Sequence, residues 1–150
     1  VEFTAKAKRM LVFEEGRREF LYDCKTGRAV NAPVGHITGG IGHNFEARPL
    51  SNDFIDLLFE EDLGAALEGA ERLFPAFNGF PEIVQLAIVN LIFNVGEGSV
   101  THFFKFCLAV KNQNWRWAGD EVLDSKYARE DVPERAERIA LMLKEGVYPY

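Results

Sequence analysis

Three features of the sequence hold side chains able to do chemistry. Glu15 stands directly before Gly16 at the end of a helix-patterned segment, Cys24 follows eight intervening residues later, and Thr38 opens the run Thr38-Gly39-Gly40-Ile41-Gly42-His43. A carboxyl at a helix end, beside a glycine-rich segment, is suited to donate a proton to the leaving oxygen of a glycosidic bond. That reaction also needs a second group to position water or steady the developing cation. A Glu-Gly pair alone marks only a helix end, so the surrounding pattern has to carry the assignment. Two other chemistries compete with it. A phosphate-binding loop at 38–42 lacks the Gly-Lys-Ser/Thr ending and the strand–helix setting. A zinc site built from Cys24, His36 and His43 lacks helical or Cys-x-x-Cys ligand spacing. No metal and no cofactor is expected.

The elements that must position these residues are legible from periodicity and punctuation. Residues 3–14 read as a helix leading into Glu14 and Glu15. From about 19 to 46, short apolar pieces such as Phe20-Leu21-Tyr22 alternate with Lys25-Thr26-Gly27 and Gly39-Gly40-Ile41-Gly42, which predicts a thin antiparallel sheet. A long helix starts near Ser51, an N-cap residue, with Leu50 and Ile55 placed as a hydrophobic staple. Its stripe, Ile55, Leu58, Phe59, Asp62, Leu63 and Ala66, has the spacing of a buried face, and Asp62 interrupts it. A carboxylate on such a face needs a partner. After the break at Pro75–Pro81, the residues from Ile83 to Val95 are apolar on most sides, as in a central core helix. Helices follow near 100–111 and 114–124. The last runs from about 132 to 145, capped by Asp131, with Pro133 in its first turn and Gly146 as its stop.

These elements predict an α+β fold in one domain: a sheet lobe at about 15–50, a connecting helix at about 51–73, and a helical lobe at about 75–150 that includes helix 3–14. A polymer substrate would lie in a cleft between lobes.

Hydrophobic residues make up 47% of the 150-residue chain and charged residues 27%, the composition of a folded domain rather than a disordered one. The 13 Phe predict a dense aromatic core. A net charge of −6 argues against general nucleic-acid binding, and Lys6, Lys8, Arg9, Arg17 and Arg18 read as a solvated helix face. No apolar run reaches the roughly 18 residues needed to span a bilayer, so no membrane span is expected. Cys24 and Cys107 give no disulfide framework. The chain opens at Val1 without Met or a leader, which predicts a part of a longer secreted or tail-associated polypeptide.

Glu15-Gly16, Tyr22, Gly27 and Thr38-Gly39-Gly40-Ile41-Gly42-His43, in this order, resemble the phage-type (T4-like) lysozymes, glycoside hydrolase family 24. Arg48-Pro49-Leu50-Ser51, Asp62, Asn90 to Phe93, Gly96, Phe103, Trp115, Ser125, Arg135-Ala136 and Arg138 extend the resemblance over nearly the whole chain. It implies a lysozyme fold and a monomeric muramidase. Such an enzyme cuts the β-1,4 bond between N-acetylmuramic acid and N-acetylglucosamine in peptidoglycan glycan strands, in the periplasm or wall of a target bacterium. The family triad is Glu, eight residues, Asp or Cys, five residues, Thr. Glu15 and Cys24 keep the first spacing. Thr38 matches the Thr by its Gly-Ile-Gly-His context, with thirteen residues after Cys24 rather than five, so 28–36 reads as containing an inserted loop.

The resemblance makes Glu15 the general acid, with Cys24 and Thr38 holding the attacking water in a single inverting displacement. A neutral thiol is a poor base, with an ordinary pKa of about 8.5, and brings no charge to an oxocarbenium ion. Asp23 is one position early, which on a strand points to the opposite face. Arg135 matches a family Arg that pairs with the acid. Such a pair orients a carboxyl but favours its ionised form, whereas a donor must carry a proton. Phe93, Asn94 and Phe45 match sugar-contacting positions, and His43 is expected to pair with Asp62. Two rival functions remain: a lytic transglycosylase, which needs only the acid, and a wall-binding domain that does not cleave.

Overall fold

The computed structural model describes residues 2–17, 38–39, 43–45 and 47–150, with only the backbone at 38, 39 and 43. Seven α-helices carry the described fold: α1 Glu2–Glu15, α2 Asn52–Leu73, α3 Glu82–Val95, α4 Glu97–Val100, α5 Phe104–Lys111, α6 Trp115–Leu123 and α7 Pro133–Glu145. A 3₁₀ turn at Phe77–Gly79 precedes α3, and a π-helical turn at Tyr127–Asp131 precedes α7.

The expectation of an α+β fold with a sheet lobe is corrected: the described fold is helical. Pairing among the described residues is limited to β1, Thr38–Gly39, antiparallel to β2, His43–Asn44, with Thr38 opposite Asn44 and Gly39 opposite His43. Two residues per strand are well short of the usual five or six and cannot form a layer. The rest of the segment read as sheet, at about 19–46, lies outside the described residues.

The chain divides into two compact units, one of 1–15 with 62–150 and the other of 16–61. In the first unit, α3 is the central helix. Val84 and every residue from Leu86 to Ile92 are buried, and α1 and α7 both pack on it. α1 contributes Ala7, Met10 and Leu11, all fully buried at i, i+3 and i+4. α7 contributes Ala136, Ile139, Ala140, Met142 and Leu143. Each large apolar side chain so buried stabilises the fold by roughly 1.5–3 kcal/mol. α6 lies close against α7 at Gly119, where a Cβ would sit 2.5 Å from Lys144 Cγ and 3.2 Å from the Ala140 carbonyl oxygen.

The termini of α7 follow from Pro133 at its start and Gly146, which takes φ 66° just after its end. The expected cap is corrected, however. Val132 occupies the N-cap with no side-chain hydrogen bond, and Asp131 closes the π turn.

In the second unit, Ser51 Oγ accepts from Phe54 N at 3.2 Å and caps α2 as its residue type predicts. Arg17 donates to Asp56 Oδ1 at 2.7 Å and to Asn52 Oδ1 from Nε and Nη2, tying the residue after Gly16 to the first turns of α2. The stripe expected on α2 is not buried along its length. Leu58 and Asp62 are exposed, and burial begins at Leu63. An exposed carboxylate keeps its hydration and carries no desolvation for a partner to offset.

Candidate active site

Glu15 is the last residue of α1, and Gly16, at φ 68°, turns the chain away in the left-handed conformation that a side chain resists. Glu14 and Glu15 therefore share the final turn, where the negative end of the helix dipole disfavours carboxylates and no basic residue of α1 offsets it. The compensating charge comes from α7. Arg135 and Arg138 stand three residues apart, on one face of that helix, and each takes one of the two acids.

The two pairs differ in geometry. Arg138 grips Glu14 through two nitrogens, Nε to Oε1 at 2.9 Å and Nη2 to Oε2 at 2.6 Å. Tyr150 adds a third bond, its hydroxyl donating to Glu14 Oε1 at 2.5 Å. The Glu14 side chain is 3% exposed. Burial pushes its carboxyl up, but the hydrogen bonds from Arg138 and Tyr150 and the charges of Arg135 and Arg138 outweigh that and hold it below the usual carboxylate range. The same contact raises the Arg138 guanidinium, and burial, then the bond to Glu14, raises the Tyr150 phenol. Glu14 is a locked, charged, structural carboxylate.

Glu15 is held differently. Arg135 Nη1 donates to Glu15 Oε1 at 2.5 Å, and the carboxyl is 34% exposed against 5% for the Arg135 side chain. Its other oxygen makes no hydrogen bond to a described residue. The remaining edge of Arg135 belongs to Asn90 on α3: Nε donates to Asn90 Oδ1 at 2.7 Å and Nη2 to the Asn90 carbonyl oxygen at 3.4 Å. Asn90 Nδ2 in turn donates to the Tyr150 hydroxyl at 3.0 Å. One chain of hydrogen bonds thus runs Glu15, Arg135, Asn90, Tyr150, Glu14, Arg138. An oriented carboxyl with one oxygen left open can hand a proton to a group placed against it.

Tyr127 completes the surroundings. It is 3% exposed, and its hydroxyl finds no hydrogen-bond partner among the described residues. Burial raises its phenol strongly, and the charges of Arg135, Glu14, Glu15 and Arg138 all act on it.

Of the residues expected from sequence, the structure brings Glu15 and Arg135 together. Phe93 and Asn94 lie half-buried in the last turn of α3, in the same unit. Phe45 is half-buried just after β2 in the other unit. Thr38 opens β1 and His43 opens β2, their side chains lying outside the described residues, as do Cys24 and the whole 28–36 segment. Asp62 is exposed rather than on a buried face. Among the described residues, no group of three or more His, Cys, Asp or Glu gathers to hold a metal ion, and no helix is long and apolar enough to cross a membrane.

Sequence reasoning missed Glu14, Asn90 and Tyr150 as parts of the site. Asn90 did leave a signal, as a polar residue in an otherwise apolar core helix, since a fully buried amide must be hydrogen-bonded.

No protein-family model matches the chain. It is similar to two proteins of Dictyostelium discoideum. One is named Probable T4-type lysozyme 2, 24% identical over an alignment 161 positions long that covers 93% of this chain and 94% of the relative. The other is named Probable T4-type lysozyme 1, 23% identical over an alignment 160 positions long with the same coverage. The chain is a distant relative, over nearly its full length, of proteins named as T4-type lysozymes.

Proposed function

We propose that this chain is a lysozyme-type peptidoglycan hydrolase in which Glu15 is the proton donor. The observation that carries this reading is Glu15 itself. It sits at the end of α1, with one oxygen on buried Arg135 and the other making no hydrogen bond to a described residue, in a chain similar over 93% of its length to proteins named T4-type lysozymes. In the proposed reaction, water attacks the anomeric carbon of N-acetylmuramic acid while the bond to the N-acetylglucosamine oxygen breaks. Glu15 gives its proton to that leaving oxygen, and the attacking water loses one to solvent. Cys24 and Thr38 hold the water, by family position. Phe93, Asn94 and Phe45 are assigned to sugar contact by family position alone; aromatic faces suit the apolar sides of pyranose rings and an amide suits hydroxyl and acetamido groups. The site of action is the periplasm or wall of a target bacterium.

Neighbouring Glu14 is a poorer donor, because both its oxygens are engaged and its carboxyl is held ionised. Mass spectrometry of digested peptidoglycan tests the proposal. Fragments with reducing ends, heavier by one water across each cut, support hydrolysis. Anhydro ends, lighter by one water, would assign transglycosylation, and an uncut polymer would leave only wall binding.

A further inference from the structure

Two Arg–Glu pairs on the same two helices are built differently, and a single residue accounts for the difference. Arg138 turns its Nε–Nη2 edge, the side-on fork that matches a carboxylate, onto Glu14. Arg135 has the same fork, but Asn90 occupies it with Oδ1 and its carbonyl oxygen, so only Nη1 reaches Glu15. We infer that Asn90, oriented by Tyr150, is a positioning residue that restricts Arg135 to a one-nitrogen contact with Glu15 and so keeps the acid able to carry its proton.

The orientation of the Asn90 amide is determined by its partners. Arg135 only donates, so Oδ1 must face it, and Nδ2 must then face an acceptor, which the Tyr150 hydroxyl supplies while donating its own proton to Glu14. A flipped amide would set Nδ2 against the Arg135 Nε–H, two donors facing each other. Asn90 is fully buried and Arg135 is 4% exposed, so the contact is shielded from bulk solvent. A fork-on-fork grip on Glu15 would engage both carboxylate oxygens and favour the ionised form, as it does at Glu14. Among the described residues, the charged and titratable groups in this cluster with Glu15 are Arg135 and Arg138 from α7, Glu14 from α1, Tyr127 from the π turn and Tyr150 beyond α7.

The inference rests on the proposed role of Glu15, and its test separates the two. In the full chain, the carboxyl carbon of Glu15 is titrated by NMR in wild type, Asn90→Ala, Asn90→Asp and Tyr150→Phe. Alongside, kcat/KM on purified peptidoglycan is followed against pH. Asn90→Ala frees the fork, so the midpoint and the basic limb of the rate profile move to lower pH, by about half a pH unit or more. Tyr150→Phe moves them the same way by less. Asn90→Asp keeps the acceptor on Arg135 and adds a negative charge, so both move to higher pH. A purely structural role would not produce opposite shifts from two substitutions at one position. Should Asn90→Ala fail to fold, Asn90→Asp and Tyr150→Phe carry the test with the same expected directions. Coincident midpoints in the folded variants overturn the inference, whether or not the wild type cleaves. The expected ordering in a protein that leaves peptidoglycan uncut upholds the positioning and defeats the proposed function instead.

Discussion

Arg138 holds Glu14 through two parallel contacts, Nε to Oε1 at 2.9 Å and Nη2 to Oε2 at 2.6 Å, across 124 positions of sequence. This pair joins the end of α1 to α7 beside the candidate acid. Removing Arg138 leaves the Glu14 carboxylate, 3% exposed, with Tyr150 alone. Arg138→Ala is expected to lower unfolding stability by about 2–3 kcal/mol in urea titrations, somewhat below a fully buried pair because Arg138 itself is partly exposed. A loss under about 0.5 kcal/mol would show that the pair is not structural.

The same pair predicts a pH dependence of stability. Glu14 is held below its unfolded value in the folded protein, so the unfolded chain binds its proton first as pH falls. The stabilisation is therefore complete above the ordinary carboxylate range, about pH 4–5, and is lost as pH drops through the lower folded value. The stability gap between wild type and Glu14→Gln should be constant near neutrality and shrink below about pH 4. A gap independent of pH down to the acid transition would contradict the assignment of Glu14 as ionised.

What was legible in the sequence followed from local chemistry. Pro133 and Gly146 bracket α7, and Ser51 caps α2, because each acts within one turn of its own position. The α+β reading leaned on strand signals at 19–46 that are also turn signals, whereas the described fold is helical. Asp62 was placed on a buried face because periodicity records which residues align, not whether anything covers them. The hydrogen-bond chain through Asn90 and Tyr150 joins residues 45 to 136 positions apart. No spacing rule reaches that far. The resemblance brought Glu15 and Arg135 forward as a pair, whereas the contrast between one-nitrogen and two-nitrogen grips required coordinates.

In the proposed reaction Cys24 stands where the resemblance would place Asp or Cys, so Cys24→Asp is expected to keep or raise hydrolysis. Cys24→Ala should reduce it at least about tenfold if the thiol helps hold water. Asp23→Ala is the matched control and should matter less. Unaltered turnover in Cys24→Ala would remove the thiol from the reaction. Rates on purified peptidoglycan decide between these results.

Net charge predicts which walls are attacked. At −6, the protein is repelled by the anionic, phosphate-rich walls of Gram-positive cells, most strongly at low salt. Good activity is expected on purified Gram-negative peptidoglycan and weak activity on intact Gram-positive cells. Glu68 and Glu134 have side chains 73% and 89% exposed, and Glu68→Lys with Glu134→Lys should increase Gram-positive lysis at low ionic strength. Equal lysis by wild type and the charge variant at low salt would show that total charge does not govern encounter.

The most direct test compares two adjacent carboxyls. Glu15→Gln keeps the shape of the side chain but cannot donate the proton, so peptidoglycan cleavage should fall by about a hundredfold or more at an unchanged melting temperature. Glu14→Gln should instead lower the melting temperature while cleavage persists at temperatures where it stays folded. Cleavage by Glu15→Gln near the wild-type rate, under conditions where both proteins are folded, would contradict the account and move the proton donor elsewhere.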